Sequence, residues 1–156
     1  MIKFIQFIVL FILQILFIPL AIIGFMPMMY KEMKVSKKLG ASYTAGQAMQ
    51  SRWIMHYFKI RNYEATIKFI KVYPCESHFG FMAFMGAAII ANRICGYKPA
   101  FASIPEPGKV TVSTVINART NYFDRIMEKR VEQVEQVVIM GAGLDLRVLK
   151  YTKFEN

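Results

Sequence analysis

The chain is short of acid. Ten Asp and Glu face twenty Lys and Arg in 156 residues, a formal net charge of +10. Such a balance points to an anionic partner, either lipid headgroups or nucleic acid. No zinc-finger, RNA-recognition or helix-turn-helix pattern accompanies the charge, so no nucleic acid is expected among the partners. Cysteine is scarce too, with Cys75 and Cys95 alone, and two cysteines do not make a disulfide framework. Cys75 and His78 have C-x-x-H spacing, but only His56 and Cys95 remain as further soft ligands. A zinc site needs more ligands at matched spacings, so no metal is expected. Neither an internal repeat nor a low-complexity tract is present.

Charge is missing altogether between Lys3 and Lys31. Residues 4–23 alone would span about 30 Å as a helix, the thickness of bilayer hydrocarbon. Gln6 and Gln14 are the polar side chains in that run. Pro19, Gly24 and Pro27 are expected to kink or end it. A cleavable signal peptide has a shorter apolar core and a small-residue cleavage site, and neither fits here. Residues 1–30 therefore read as an uncleaved transmembrane signal anchor, single-pass. Lys31, Lys34, Lys37 and Lys38 follow it, with Glu32 as the one acid among them. Positive flanks stay inside, which places the downstream part in the cytoplasm. The mean hydropathy of +0.33 is high for a soluble chain, and the excess sits at this end. So does the charge: residues 1–105 carry +9 and residues 106–156 carry +1. A basic surface beside an apolar segment suits anionic membrane lipid.

Residues 31–108 read as a membrane-proximal helical region. Residues 44–60 place Ala45, Ala48, Met49, Trp53, His56, Tyr57 and Ile60 at helical spacing. Arg52 on that helix reads as a surface or headgroup-facing residue. A second helix is expected over 63–73, with Lys68 and Lys71 outward and Pro74 ending it. The uncharged stretch 77–92 reads as a buried or interfacial helix, with a second membrane pass as the alternative. Gly80, Ala83, Gly86, Ala87 and Ala88 would let another helix approach closely. Pro99, Pro105, Pro107 and Gly108 then break the chain.

From 109 the pattern changes. Residues 109–116 alternate like a strand by propensity, with helix as the open alternative for the later ones. Residues 118–134 form a helix, with Tyr122, Phe123, Ile126, Met127, Arg130, Val131 and Val134 expected on its core face. Val137 to Met140 are four apolar residues in a row, as in a strand covered on both faces. Gly141 and Gly143 then leave a turn without side chains, where a ligand can approach the backbone and the amides opening a helix. This is nucleotide-cofactor geometry. A dinucleotide fingerprint wants a third glycine, and Leu146 stands in its place, which counts against a nicotinamide or flavin site. A plain strand-to-helix turn packed with small residues is the alternative.

Two words taken together are more specific. Asn117-Ala118-Arg119-Thr120-Asn121-Tyr122-Phe123-Asp124 precedes Gly141-Ala142-Gly143-Leu144-Asp145-Leu146-Arg147. In that order they resemble the leucine carboxyl methyltransferase family and the related bacterial S-adenosylmethionine-dependent O-methyltransferases. The family has Ala-Arg-Thr…Asp on a helix and Gly-Ala-Gly-Leu-Asp-Thr-Arg after the first strand. Leu146 replaces the threonine. The resemblance covers about residues 117–150, with a weaker echo from Ser42 to Arg52. It implies an α/β fold, the start of a class I (Rossmann-like) methyltransferase. This would be mostly helical within the chain and preceded by the transmembrane helix. Residues 109–156 would be the first part of the S-adenosylmethionine-binding domain.

The resemblance also implies roles. Arg119 would pair with the methionine carboxylate of S-adenosyl-L-methionine, a match of guanidinium fork to carboxylate. A helix salt bridge to Asp124 is the alternative. Gly141 and Gly143 would let the loop approach the cofactor. Asp145 would fix that loop, reach the cofactor, or cap a helix. A basic residue of the N-terminal helical region helps hold the cofactor carboxylate in such relatives, a role for which Arg52 is the candidate. Methyl transfer needs neither metal nor protein nucleophile, so the lack of a Ser/His/Asp triad is no objection. The acidic strand end that would hold ribose lies about 20 residues beyond the turn, past Asn156. The chain is thus expected to be an N-terminal portion, inactive alone, with its methyl acceptor unspecified. The competing expectation is a non-catalytic membrane-associated helical protein carrying a vestigial cofactor segment.

Overall fold

A computed structural model describes residues 2–140 and 144–150. Six α-helices organise them: α1 (Ile2–Tyr30), α2 (Ser36–Lys38), α3 (Tyr43–Tyr57), α4 (Glu64–Val72), α5 (His78–Cys95) and α6 (Val115–Arg130). Short 3-10 turns occur at Ala100–Ala102, Val131–Gln133 and Arg147–Lys150. No strand occurs among the described residues. The chain divides into two compact units. One comprises Met1–Tyr43 and Lys68–Pro99, the other Thr44–Ile67 and Ala100–Asn156. The division does not follow sequence order, since residues 44–67 group with the C-terminal segment.

In the first unit, α1 runs through both prolines that were expected to interrupt it. Each proline removes one donor, but the flanking turns keep theirs, so the helix continues to Tyr30. A π-helical turn at Lys31–Val35 then leads into α2. α5 starts with a cap that the sequence encodes locally: the Ser77 hydroxyl accepts the Gly80 N–H at 3.1 Å. It ends at Gly96, whose φ of 70° suits a residue without Cβ, and whose N–H donates to the Asn92 carbonyl at 3.0 Å. Ser77→Ala is expected to lower the stability of this unit by about 1 kcal/mol, measured by thermal unfolding in one fixed detergent or lipid.

α1 and α5 lie side by side and antiparallel. The Gln6 side-chain amide donates to the Cys95 carbonyl at 2.9 Å, and Lys31 Nζ donates to the Glu76 carbonyl at 2.8 Å. Between these ends, Gly24 faces Ala83 and Gly80, and Gly86 faces the Phe17 ring. Three of the small residues singled out in the sequence are therefore contact points. Away from α5, α1 stays exposed and apolar, including Phe4, Phe11, Leu16, Ile22 and Ile23. Ile2–Lys38 and His78–Cys95 are both long and apolar enough to cross a membrane, by length and composition alone.

In the second unit the core is partly polar. Met49, Trp53, Met55 and Phe58 of α3 and its end are buried, and so are Ser51 and Arg52. α6 begins at Val115, after a turn in which Thr114 Oγ1 accepts the Thr111 N–H at 3.0 Å. The conflict over residues 109–116 is thereby settled for helix from 115, and no strand forms before it.

The core face of α6 is a correction. Tyr122, Phe123 and Ile126 are exposed, while Asn117, Thr120, Asn121 and Asp124 are buried. Those four sit at the i, i+3, i+4, i+7 spacing of one helix face. The polar face can be the inner one because its single charge, Asp124, is met by Arg61 and Arg147. The expected buried strand over Val137 to Met140 is a second correction. These residues form no ladder, and Val138 and Met140 are exposed. An extended segment becomes a strand only when a neighbour accepts and donates its backbone bonds. The described part of the chain is accordingly mostly helical, as expected for it, and holds no strand of an α/β sheet.

Candidate functional site

The second unit gathers six charged side chains and a tyrosine. From α3 comes Arg52, from the α3–α4 connection Arg61 and Tyr63, from α6 Asp124 and Glu128. Asp145 and Arg147 come from the segment after the glycine turn. Tyr63 donates its hydroxyl to Asp124 Oδ2 in a very short bond. Arg61 lies 3.7 Å from the same carboxylate, donates to the Asn121 side-chain oxygen at 3.0 Å, and grips Glu128 bidentately at 2.8 and 3.1 Å. Arg147 Nη1 stands 3.6 Å from Asp124 Oδ1. Ser51 Oγ donates to Asn117 Oδ1 at 2.5 Å, and Asn117 Nδ2 bonds the Phe101 and Ser103 carbonyls at 2.7 and 3.2 Å.

Asp145 sits between two guanidiniums. Arg52 Nη2 is 3.2 Å from Oδ2, and Arg147 Nε donates to both carboxylate oxygens at 2.9 Å. Its Oδ1 also accepts the Arg147 N–H at 3.0 Å, a local Asx-type bond just before the Arg147–Lys150 turn. Arg52 Nη1 adds a bond to the Leu144 carbonyl at 3.1 Å. The Arg52 side chain is only 5% exposed, which overturns its reading as a headgroup-facing residue. A buried guanidinium needs an anion, and Asp145 supplies it.

Electrostatics follow from this packing. Burial pushes the Asp145 carboxyl up, but the Arg147 hydrogen bonds and the Arg52 charge outweigh it, and the net pKa lies below the usual carboxylate value. Burial lowers the Arg52 guanidinium, against the pull of Asp145. Burial, then the bond to Asp124, raises the Tyr63 phenol well above its ordinary range. A depressed carboxyl pKa stabilises the fold above its unfolded value of about 3.9 and loses that contribution as pH falls through the folded value. Asp145→Asn is therefore expected to flatten the loss of stability below about pH 4. Chemical unfolding at pH steps from neutral to acid checks this. An unchanged acid limb would show that the carboxylate is not held as charge.

The sequence-derived site residues fall as follows. Arg119 is exposed on the first half of α6, its guanidinium 5.8 Å from the centre of the Phe123 ring. Arg147 lies over the same ring at 5.3 Å. Arg119 and Asp145 are thus linked through Phe123 and Arg147. The expected alternative pairing of Arg119 with Asp124 is replaced, since Asp124 is engaged by Tyr63, Arg61 and Arg147. Gly141 and Gly143 lie outside the described residues. Sequence reasoning passed over Arg61, Tyr63 and Arg147. The polar stripe 117, 120, 121, 124 lies at helical spacing in the sequence, but nothing in it names the partners.

The donor set suits an anionic ligand. Arg119 carries an exposed guanidinium, and Arg52 Nε is buried with no hydrogen-bond partner among the described residues. Asp145 is committed to two arginines.

Residues 91–156 match the family model for leucine carboxyl methyltransferase. No curated protein and no solved structure matches the chain. The family is one of S-adenosylmethionine-dependent methyltransferases, and the match indicates a methyltransferase at family level. The matched stretch contains both words that carry the resemblance, so residues 91–156 are similar to the leucine carboxyl methyltransferase family.

Proposed function

We propose that the protein is an S-adenosylmethionine-dependent methyltransferase of the carboxyl or O-methyl transfer type. In this reading it is anchored to membrane lipid by its apolar helices, with the methyltransferase segment on the cytoplasmic side. The family match over residues 91–156 carries the reading. Bound S-adenosylmethionine supplies a methyl group already activated at sulfur. The chain's own residues bind and orient. Arg119 presents its fork to the cofactor carboxylate, and Phe123 holds the guanidinium plane. Gly141 and Gly143 allow close approach of the loop. Asp145 acts through Arg52 and Arg147, fixing the segment behind the glycine turn to α3. Membrane attachment is supported by the exposed apolar surface of α1 and by the lysines that follow it.

Titrating the full chain with S-adenosylmethionine tests this. A hydrogen bond between charged groups is worth about 1.5–3 kcal/mol, so Arg119→Ala is expected to weaken binding roughly 10- to 150-fold. Arg119→Lys would restore charge without the fork and recover only part of it. Equal affinity in all three proteins would remove Arg119 from the site.

A further inference from the structure

We propose that the α1–α5 pair is monotopic: it enters one leaflet of an anionic bilayer and leaves on the side it entered, so neither helix crosses. The proposal rests on the membrane reading above and revises the single-pass anchor expected from the sequence. The antiparallel pairing fixes where the ends of α5 lie. Cys95 is beside Gln6, and Glu76 is beside Lys31. From the Lys31 end the chain passes into Thr44–Ile67 and returns to the same end before α5. From the Gln6 end it passes through residues 96–99 into Ala100–Asn156.

These two pieces, which leave opposite ends of the hairpin, form one compact unit. Ion pairs and hydrogen bonds of ordinary length join them, among them Arg52 to Asp145 at 3.2 Å, Ser51 to Asn117 at 2.5 Å and Arg61 to Glu128 at 2.8 Å. No hydrocarbon layer runs through such contacts. If α5 crossed, the pieces would stand about 30 Å apart on opposite faces of the bilayer. The four residues 96–99 reach at most about 14 Å and cannot lead the chain back across. Both ends of α5 are thus on one side, and Gln6 and Lys31 of α1 are with them. An α-helix about 10–12 Å wide fits within one half of the hydrocarbon core.

Charge gives independent support. A crossing hairpin concentrates its cations on one side. Here both ends are basic: Lys31, Lys34, Lys37 and Lys38 at one, Lys3, Arg93 and Lys98 at the other. Both sets can reach the headgroups of the same leaflet.

The test is sidedness. In a Cys75→Ala/Cys95→Ala background, Lys71→Cys and Lys98→Cys are made singly, both at exposed positions near opposite ends of α5. A membrane-impermeant maleimide is applied to inverted vesicles and to intact spheroplasts. Both sites are expected to label from one and the same side. Labelling from opposite sides overturns the proposal while leaving the membrane anchor intact. Recovery of the chain in the soluble fraction overturns the anchor and the proposal together. Trypsin added to either side of membranes bearing the unmodified chain gives a readout free of substitutions. Cleavage at Lys38 and at Lys109 is expected from the same side, and cleavage from opposite sides overturns the proposal.

Discussion

Asp124→Ala is expected to destabilise the second unit by about 3–5 kcal/mol, the cost of removing one member of a buried ion pair. The carboxylate side chain is 5% exposed. It accepts the Tyr63 hydroxyl and stands against Arg61 at 3.7 Å and Arg147 at 3.6 Å. Alanine would leave a half-buried phenol without its acceptor and two guanidiniums with less compensation. In a chain of this size the melting temperature should fall by roughly 6–20 °C. Glu128→Ala is the control. Glu128 also pairs with Arg61, at 2.8 Å, but its side chain is 39% exposed. Exposed pairs contribute about 0–1 kcal/mol, so its melting temperature should barely move. Thermal unfolding of the two variants in the same lipid or detergent decides the matter. Equal shifts would mean that burial does not separate these carboxylates.

Gly80→Ala and Gly86→Ala should behave differently although both replace a helical glycine. Each gains about 1 kcal/mol in helix propensity. At Gly80 the added methyl would lie 2.7 Å from the Gly24 carbonyl oxygen and 2.8 Å from Met28 Cβ. Neither can withdraw without moving α1, and overpacking of this kind costs about 1–3 kcal/mol. At Gly86 the obstacle is the Phe17 ring edge, 2.5 Å away, which a rotamer change can relieve. Gly80→Ala should therefore loosen the α1–α5 pair by a net of roughly 0–2 kcal/mol, and Gly86→Ala should be neutral or stabilising. Comparing their melting temperatures checks the order. The reverse order would place the closest backbone approach elsewhere on α5.

Much of the helical layout was legible in the residues. Ser77 and Gly96 bracket α5 with a cap at each end, and Pro74 stops the chain shortly after α4. Gly80, Ala83 and Gly86 announced a close helix neighbour without saying which one. The words around Arg119 and Asp145 resemble a family whose model matches residues 91–156. What could not be read was the inner face of α6. Apolar periodicity marks a buried face only when the partner surface is apolar too. Here the partner is a set of arginines and a tyrosine, so Asn121 and Asp124 turn inward and Tyr122 and Phe123 outward. Arg52 misled for the same reason: a lone arginine on a helix gives no sign of an anion 93 positions away, at Asp145.

By itself, the amino-acid order determined an uncharged apolar N-terminal run, a basic flank, helices with their local stops, and two motifs that name a family. These are matters of near neighbours, since caps, breakers and hydropathy act within a few residues. Tertiary structure alone decided that Arg52, Asp145 and Arg147 meet, that α6 buries its polar side, and that α5 runs back along α1. Those outcomes depend on which distant groups compensate a buried charge or leave room for a backbone, and no short window of sequence holds both partners.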